Sequence, residues 1–588
     1  MSDQPNNKPG FLGLTDEQRL LLAIVLMFGV WMAWSFVMPK APEPVAQKKE
    51  TTAKSASPAA APTPVPAAAS AAAKNKQPAA SEPAVDEIAG EKEERFTIKT
   101  GLYEVRFNNR GAVVESWILT RFKQNEGKPL DLVNPVSLGR AELYPFTITY
   151  KDQQSPPIDL RQALYSAKLH PDGLGIDFEF SQKGVISNKS FQFTQSNYLT
   201  DVTSVVSVNG ASIPHLLSWR GGFGDPTVPK AHAAQHTTHI APADNSPTQY
   251  DNSKGKSGPV LEGGTWTFAG IEDNFFAAIF LPKSSTYLEL QTWSDKLPID
   301  TKSKEEELFV GGAVGTSGPL NQFSLFVGPK DTNILAKVNP KLDTVVDWGW
   351  FGFLAKPLFA FLKWMDGNYV HSWGWSIILA TVIINILMIP IKMSSMKNMK
   401  QMAVLQPEIA KINEKYAGVK LNDSKNNDKN EEIMSLYKKH GVNPAGGCVP
   451  MLLPFPFLLA FYKVLSLAID LRGASWLWVA DLSQPESIAI RILPILMIAS
   501  QFYMQHLTPN TSGDPTQQRM MKFMPLMFGF IFYNASSGLV LYWLTSNVMG
   551  IAQQLYTNKT GSTTPPASAK TIDVKKKGPK SVVLRNKL

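Results

Sequence analysis

The sequence predicts a polytopic α-helical membrane protein that carries a separate, soluble all-β domain. Three observations support this fold class. Residues 372–556 contain apolar stretches long enough to cross a bilayer, residues 96–345 alternate between apolar and polar side chains, and a lysine-rich loop divides the apolar stretches. The chain has 588 residues, of which 44% are hydrophobic, and a net charge of +9. This length indicates several domains.

The chain opens with a polar cytosolic stub, residues 1–19, and an apolar run at residues 20–38. These 19 apolar residues can cross a hydrocarbon layer of ~30 Å. A cleaved signal peptide has a shorter apolar core and a small-residue cleavage site after it. Here Pro39 and Lys40 follow, so we expect a transmembrane anchor that is not cleaved.

Residues 39–95 are rich in alanine and contain nine prolines. Such a segment cannot build a core and is typical of an extended linker. From residue 96 the pattern changes to alternation, as in Tyr103, Val105 and Phe107, with turn signals between the runs. Short alternating strands as far as residue 345 predict one large antiparallel β-sandwich.

Residues 346–371 contain an aromatic, mildly amphipathic stretch, which suits a helix lying at the membrane surface. Five spans are then predicted within residues 372–556, three of them at about 373–391, 449–469 and 488–506. The last apolar stretch, residues 523–556, has 34 residues and as one straight helix would measure ~51 Å, too long for the hydrocarbon. Turn-forming residues at 534–538 interrupt it, so it predicts two short spans.

Positive charge orients these spans. The loop at residues 392–448 carries ten lysines and six acidic residues, and a cationic loop between two spans is cytosolic. The tail, residues 557–588, has eight lysines and arginines and one acidic residue, so we expect it to be cytosolic too. Six spans place both termini inside, and the β-sandwich outside, in the periplasm of a bacterial inner membrane.

Polar side chains recur at helical spacing within the predicted spans. They form one face of the second span and one face of the sixth, and the third span adds a lysine beside a tyrosine. One interpretation is hydrogen bonding between helices with a lysine that snorkels to the interface. The other is that these faces line a wet groove. The residues are Thr381, Asn385, Met388, Lys392, Tyr462, Lys463, Tyr542 and Ser546.

A wet groove would shorten the dry path for a polar segment of another polypeptide. Each charge in the hydrocarbon costs at least ~2.5–3.5 kcal/mol, and the apolar helix of the substrate could then leave sideways into lipid. The hydrophobicity of the substrate supplies the driving force. The sequence contains no Gly-rich nucleotide-binding pattern, so it predicts neither an enzyme nor a cofactor.

Several stretches resemble the YidC/Oxa/Alb insertase family, and the layout resembles its Gram-negative members with a large periplasmic domain. The resemblance is specific over residues 340–556 and looser over 96–340. The matching stretches are residues 326–330, 347–350, 373–378, 405–407, 443–450, 481–483, 523–525 and 537–543.

The resemblance implies a membrane protein insertase and chaperone. Such a protein moves nascent membrane proteins from the cytosol into the inner membrane, alone or with the Sec translocon. It implies a five-helix insertase core, a helical hairpin in the loop 392–448, and a β-super-sandwich similar to sugar-mutarotase folds. Substrate and membrane lipids would contact the groove, where Trp543 follows Tyr542 in a matching stretch.

The chain departs from the family pattern at two places. Asn385 stands where the family usually has a groove arginine, and Pro454 stands where similar members often have glutamine. We therefore hypothesise that Lys463 or Lys392 supplies the positive charge of the groove.

The basic tail has two interpretations. Such low-hydrophobicity cationic segments bind nucleic acid or acidic lipid without sequence choice, and the resemblance favours ribosomal RNA. The alternative is a solvated topology signal. No DNA partner is expected. The candidate ribosome-contact residues are Lys575, Lys576, Lys577, Lys580, Arg585 and Lys587.

Two other functional classes remain as alternatives: a polytopic transporter or channel with a periplasmic sensing domain, and an anchored carbohydrate-binding or mutarotating protein. Transporters often show internal repeats with paired broken helices, whereas this sequence shows a single broken segment. The histidines at 232, 236 and 239 are weak metal candidates, and residues 221–224 predict a turn rather than a phosphate loop.

Overall fold

The computed structural model describes residues 87–124, 127–150, 155–228, 231–283, 287–299, 301, 303–417, 424–442, 454–508 and 515–560. The predicted stub, the anchor at residues 20–38 and the tail beyond residue 560 lie outside these ranges. The same holds for most of the predicted linker. The described chain folds into an all-β domain, here called the β-domain, followed by a helical region.

The β-domain is built from short strands joined by turns. Its described strands are β1 (Arg95–Lys99), β2 (Tyr103–Asn108), β3 (Val113–Lys123), β4 (Pro129–Asp131), β5 (Thr147–Thr149), β6 (Ser166–Leu169), β7 (Gly175–Gln182), β8 (Val185–Phe193), β9 (Leu199–Val208), β10 (Ala211–Ser212), β11 (Leu216–Trp219), β12 (His236–Ile240), β13 (Thr248–Tyr250), β14 (Val260–Thr265), β15 (Phe268–Glu272), β16 (Phe276–Pro282), β17 (Tyr287–Pro298), β18 (Glu306–Thr316) and β19 (Leu320–Pro329).

The strands form three sheets. The largest has the order β13-β12-β15-β16-β19-β9-β8-β7-β6, with β10 paired to β9; a second has the order β14-β17-β18-β11-β5, and a third runs β1-β2-β3-β4. Neighbouring strands in the described sheets pair antiparallel. The predicted antiparallel all-β domain is therefore confirmed.

Aromatic side chains from all three sheets meet in one core. The ring of Trp117 in β3 lies 6.1 Å from that of Trp219 in β11 and 5.7 Å from that of Phe193 in β8, between centroids. Every second residue of β8 is buried, which is the alternation expected of a strand with one face on a core. Residues before β1 also contact the domain, because the Ile88 amide donates to the Ser181 carbonyl at 2.8 Å.

The helical region follows β19 directly. Its described helices are α1 (Thr332–Val338), α2 (Gly352–Met365), α3 (Trp373–Leu387), α4 (Ile389–Lys415), α5 (Ser424–Lys439), α6 (Phe455–Leu467), α7 (Ile492–Leu507), α8 (Pro515–Phe532) and α9 (Ser537–Thr560). The break between α8 and α9 falls at the turn-forming residues that the sequence indicated.

The helices differ in length from the six predicted spans. Among the described residues, no single helix is both long and apolar enough to cross a bilayer. Gly352–Val370 and Trp373–Leu387 pass that test together, bent by 116°, and shorter apolar helices occur at Phe455–Leu467, Ile492–Leu507 and Lys522–Phe532. The six spans are therefore not confirmed; α3, for example, already ends at Leu387, and the next helix begins at Ile389 with Pro390 in its first turn.

Helices α4 and α5 form a hairpin with a small core of its own. Its buried side chains are Met402, Leu405, Ile409, Tyr437 and Val442. Outside this core, the Lys415 ammonium lies 2.8 Å from the Glu432 carboxylate. An exposed pair of this kind contributes little stability, so the apolar contacts hold the two helices together. This arrangement agrees with the helical hairpin that the family resemblance implies.

Candidate functional site

The candidate site lies where α9 packs against α3, α6 and α7. Close approach begins at Gly538, where an added Cβ would lie 2.9 Å from a Leu465 methyl carbon and 3.1 Å from the Leu482 carbonyl oxygen. One turn further, the rings of Tyr542 and Phe461 stack with centroids 4.2 Å apart. Apolar contacts therefore join α9 to α6 at the end of the bundle that faces the β-domain.

A line of polar side chains runs along α3 toward α4. The Thr381 hydroxyl donates to the Ile377 carbonyl at 2.7 Å, and the Asn385 amide donates to the Thr381 carbonyl at 2.8 Å. Bonds to the carbonyl four residues earlier satisfy short polar side chains inside a helix. Thr381 is fully buried and Asn385 nearly so.

Asn385 also connects α3 to its neighbours. Its amide nitrogen lies 3.1 Å from the Ser546 hydroxyl on α9, and its amide oxygen accepts a 2.6 Å hydrogen bond from the Lys392 ammonium. Lys392 lies in the first turn of α4, and its backbone amide donates to the carbonyl of Met388, which lies between α3 and α4. Thr381, Asn385, Lys392 and Ser546 together are called the polar strip.

The polar strip carries a positive charge. The Lys392 side chain is half-buried, and the described hydrogen-bond partner of its ammonium is a neutral amide oxygen. Within the described part of the chain, none of the ion pairs includes this lysine. A neutral amide partner does not cancel the charge of an ammonium, so a protonated Lys392 can attract an anionic group.

Two predicted groove residues on α9 point in different directions. Tyr542 is buried against Phe461 of α6. Trp543 donates from its indole nitrogen to the Gln501 amide oxygen at 3.2 Å and packs against Phe532 of α8, with ring centroids 5.3 Å apart. Successive residues of a helix lie about 100° apart, which separates the two rings.

Lys463 lies away from the polar strip. A Cβ added to Gly349 would be 3.1 Å from the Lys463 Cε atom, and Gly349 precedes α2. Its neighbour Tyr462 is partly buried against the apolar core. Of the two lysines that the sequence suggested as the groove cation, the structure brings Lys392 to Asn385.

Asn547 is a polar residue of the core that the sequence analysis did not select. It is 5% exposed and donates to the Ser500 hydroxyl at 2.9 Å, which joins α9 to α7. Its position in the sequence, directly after Ser546 and inside an apolar run, could have marked it as a polar residue of the core. It lies on the α7 side of α9, so its role is in holding the bundle together.

The remaining predicted candidates lie elsewhere. The six tail residues proposed to contact ribosomes are outside the described range. His239 stacks on Trp266 at 4.0 Å between centroids, and the described residues contain no cluster of three or more metal-binding side chains. Gly221, Gly222 and Gly224 all have positive φ, as a tight turn requires.

An all-β domain joined to apolar helices that enclose a polar strip is typical of a membrane protein whose core admits polar groups. The family comparisons agree with this class. A family model described as the 60Kd inner membrane protein matches residues 364–564, and one described as the YidC periplasmic domain matches residues 95–361. The membrane protein insertase YidC of Syntrophus aciditrophicus is 32% identical over 571 residues, which cover 92% of this chain and 99% of that protein.

Two solved structures are similar more weakly. The crystal structure of an active YidC insertase, with its first transmembrane domain resolved, matches at 19% identity and a TM-score of 0.34, covering 81% of this chain and 95% of that one. A putative aldose 1-epimerase from Escherichia coli K12 matches at 13% identity and a TM-score of 0.28, covering 40% of this chain and all of that one. The family assignment rests on the sequence relatives.

The chain belongs to the YidC family of membrane protein insertases. The predicted insertase function is confirmed at the level of the family, which is not a family of enzymes. The β-domain is the periplasmic domain of this family, and the helical region corresponds to its inner-membrane part.

Proposed function

We propose that the polar strip lines a hydrated groove, open to the cytosol and to lipid, that receives the polar flank of a nascent membrane protein. The observation that carries this proposal is the hydrogen-bonded line from Lys392 through Asn385 to Ser546. It lies between apolar helices. Polar groups in such surroundings usually face a partner or a water-filled cavity. The three side chains are partners for one another, and the Lys392 ammonium is bonded to an amide rather than to a carboxylate.

We further propose that the chain crosses the inner membrane six times. The anchor at residues 20–38 would be the first span, and α3, α6, α7, α8 and α9 would form or belong to the other five. A periplasmic β-domain followed by α2 puts the start of α3 at the outer surface. The lysine-rich hairpin of α4 and α5 is then cytosolic, which agrees with the positive-inside rule. The apolar α2 would lie in the outer interface, where Phe353 in its first turn and Trp350 just before it are largely exposed.

The groove lowers the barrier for a polar segment by shortening the distance over which it lacks water. A charged side chain at the centre of a bilayer costs at least ~2.5–3.5 kcal/mol on insertion scales. While the groove holds this flank, the apolar segment of the substrate moves sideways into lipid. Its own hydrophobic burial drives the reaction.

Lys392 is the proposed cation of the groove. The family arginine position is occupied here by Asn385, and the Lys392 ammonium reaches the side chain at that same position. The charge is therefore restored at nearly the same place by a residue two helical turns further along the chain. Substrates with acidic flanks would gain most from it.

Two partners complete the proposal. The lysines and arginines of the basic tail, residues 557–588, would bind the phosphates of ribosomal RNA near the tunnel exit. The Sec translocon would share substrates with this protein, as the family resemblance implies. Neither partner is needed for the chemistry of the groove, because the polar strip and the apolar helices belong to this chain.

Cysteine accessibility tests the groove. In a Cys448→Ser background, Ser546→Cys should react with a membrane-impermeant maleimide added from the cytosolic side. The matched control is Val548→Cys, two residues further on α9 and 53% exposed on a face we assign to lipid. Labelling at 546 and not at 548 supports the groove; equal, slow labelling at both positions would contradict it. Photocrosslinkers at 381 and 385 should then capture a stalled nascent chain.

A further inference from the structure

A buried ion pair joins the β-domain to the helical region. The Arg472 guanidinium, in the turn after α6, contacts the Asp225 carboxylate of the β-domain. The side chains are 7% and 1% exposed, and 247 residues separate them in sequence. Removing two charges from water is costly, so a pair of this kind persists only where the surrounding geometry satisfies both groups.

Several groups of the β-domain surround this arginine. One carboxylate oxygen of Asp225 accepts from the Thr227 amide at 2.9 Å and the Thr227 hydroxyl at 2.7 Å, which leaves the other oxygen for Arg472. The guanidinium also donates to the Lys123 carbonyl at 2.7 Å, and it lies 5.4 Å from the centroid of the Phe276 ring. The end of β3, the start of β16 and the loop that carries Asp225 thus converge on one side chain.

The glycine-rich turn at residues 221–224 sets the position of Asp225. Gly224 has a φ of +97°, and a Cβ on it would collide with the Asp273 carboxylate. Asp273 accepts from the amides of Phe275 and Phe276 at 2.8 and 2.6 Å, so it cannot move away freely. The turn that the sequence indicated therefore has a use: it aims a carboxylate at the helical region.

The segment that carries Arg472 is also hydrogen-bonded to the first turn of α9. The segment 468–491, here called the outer loop, contains Arg472. Its Leu482 amide donates to the Ala474 carbonyl at 2.9 Å, and its Leu482 carbonyl accepts from the Gly538 amide at 2.9 Å. The Gln484 carbonyl accepts from both the amide and the hydroxyl of Ser537 at 2.8 Å. The outer loop thus holds the start of the helix that carries Ser546.

The outer loop also covers the start of α3. Trp476 packs so closely on Gly374 that a Cβ there would lie 2.2 Å from its ring. One turn into the same helix, Ser376 is 0% exposed. The loop and its tryptophan therefore lie over the ends of the two helices between which the polar strip is held.

We propose that Arg472 is a positioning residue for insertion: by tying the outer loop to the β-domain, it keeps the periplasmic end of the α3–α9 pair closed to water. This proposal rests on the proposed function in one respect, since the closed end is the far end of the groove. The β-domain then acts as a brace, and a groove open on one side remains sealed on the other.

Labelling of Ser376→Cys from the periplasmic side tests the seal. In full-length protein with Cys448→Ser, an impermeant maleimide added to spheroplasts should leave position 376 unreactive. Arg472→Met or Asp225→Asn should raise the labelling rate at least tenfold. The double variant should match the single variants, because both act through one contact.

The matched control is Arg220→Met. Arg220 forms an ion pair with Asp295, side chains 21% and 11% exposed, with both partners inside the β-domain. Its loss removes a comparable interaction without touching the outer loop, so position 376 should stay unreactive. Labelling in the Arg472 and Asp225 variants no faster than in this control would overturn the proposal. Limited proteolysis checks the fold; if Arg472→Met unfolds, the nearly isosteric Asp225→Asn decides the outcome alone.

The two proposals fail separately. Ser546→Cys labelled from the cytosol reports on the groove, and Ser376→Cys labelled from the periplasm reports on the seal. An unreactive position 546 would remove the groove, while a raised rate at 376 in the Asp225 variant would still establish the brace.

Discussion

Replacing Lys392 by methionine should slow the insertion of substrates that carry an acidic flank. Methionine keeps the unbranched stem of the side chain and removes the ammonium that donates to Asn385. The polar strip then loses its charge, while its link from Asn385 to Ser546 remains. The effect should depend on the substrate, because a neutral flank gains nothing from the cation.

The size of the effect follows from the surroundings of the ammonium. Two unit charges 4 Å apart attract by about 1 kcal/mol in water and about 4 kcal/mol at an effective dielectric constant of 20. Lys392 is half-buried, so a substrate carboxylate in contact with it should gain about 2 kcal/mol. Since about 1.4 kcal/mol corresponds to a tenfold change in rate, we expect insertion to slow by roughly 30-fold.

The assay compares two substrates that differ only in the flank. One carries aspartates and glutamates before its apolar segment, and the other carries the corresponding asparagines and glutamines. Insertion into proteoliposomes is measured by protease protection of the flank. Lys463→Met is the matched control, because this lysine lies beside Gly349 rather than at Asn385. An equal loss for both substrates, or no loss for the acidic one, would refute the assignment of Lys392.

Three further predictions address the fold and the tail. Burial lowers the pKa of His215 from 6.5 to about 4, so on acidification the unfolded chain takes up a proton before the folded β-domain does. The free energy of unfolding should therefore fall by roughly 3 kcal/mol as the pH drops from 6.5 toward 4. Stability measured by hydrogen exchange should depend less steeply on pH in His215→Gln. Gly374→Ala should lower the free energy of unfolding by ~1–3 kcal/mol, because the added methyl group would collide with Trp476. Its melting temperature should be lower than that of Gly367→Ala, where an added Cβ meets nothing within 4 Å. Deleting residues 561–588 should weaken ribosome binding and flatten its dependence on salt; an unchanged salt slope would assign the tail to topology alone.

Local patterns in the sequence were sufficient for the features that depend on neighbours along the chain. Alternation predicted the strands, and turn-forming residues at 534–538 predicted the break between α8 and α9. Helical spacing placed Thr381, Asn385 and Lys392 on one face, and the structure joins Asn385 to Lys392 directly. Each of these conclusions needed only the period of a helix or strand and the conformational preferences of a few residues.

Contacts between distant segments could not be predicted in the same way. Trp543 was grouped with Tyr542 by proximity in sequence, whereas the helix turns its ring toward Phe532 and Gln501. The pair of Arg472 with Asp225 spans two domains, and a single sequence holds no pattern that matches one arginine to one of many carboxylates. The glycine run before Asp225 marked a turn, but its use depends on how the two domains dock.

The sequence resemblance implies an arginine at the position of Asn385, and on the proposed function Lys392 supplies that charge from a neighbouring position. From Asn385 to Lys392 is about 10 Å along a helix, a distance that a lysine stem and an asparagine side chain bridge together, as the 2.6 Å hydrogen bond between them demonstrates. An arginine rooted inside the bundle is always charged and offers a fixed fork of donors, whereas a lysine is a point charge on a flexible stem. On the proposed function, a stem rooted in the first turn of α4 would bring the ammonium to a substrate carboxylate from the hairpin side of the bundle. The neutral amide of Asn385 holds it at the depth of the polar strip without cancelling its charge, so selection should follow the charge of the substrate flank rather than its detailed shape.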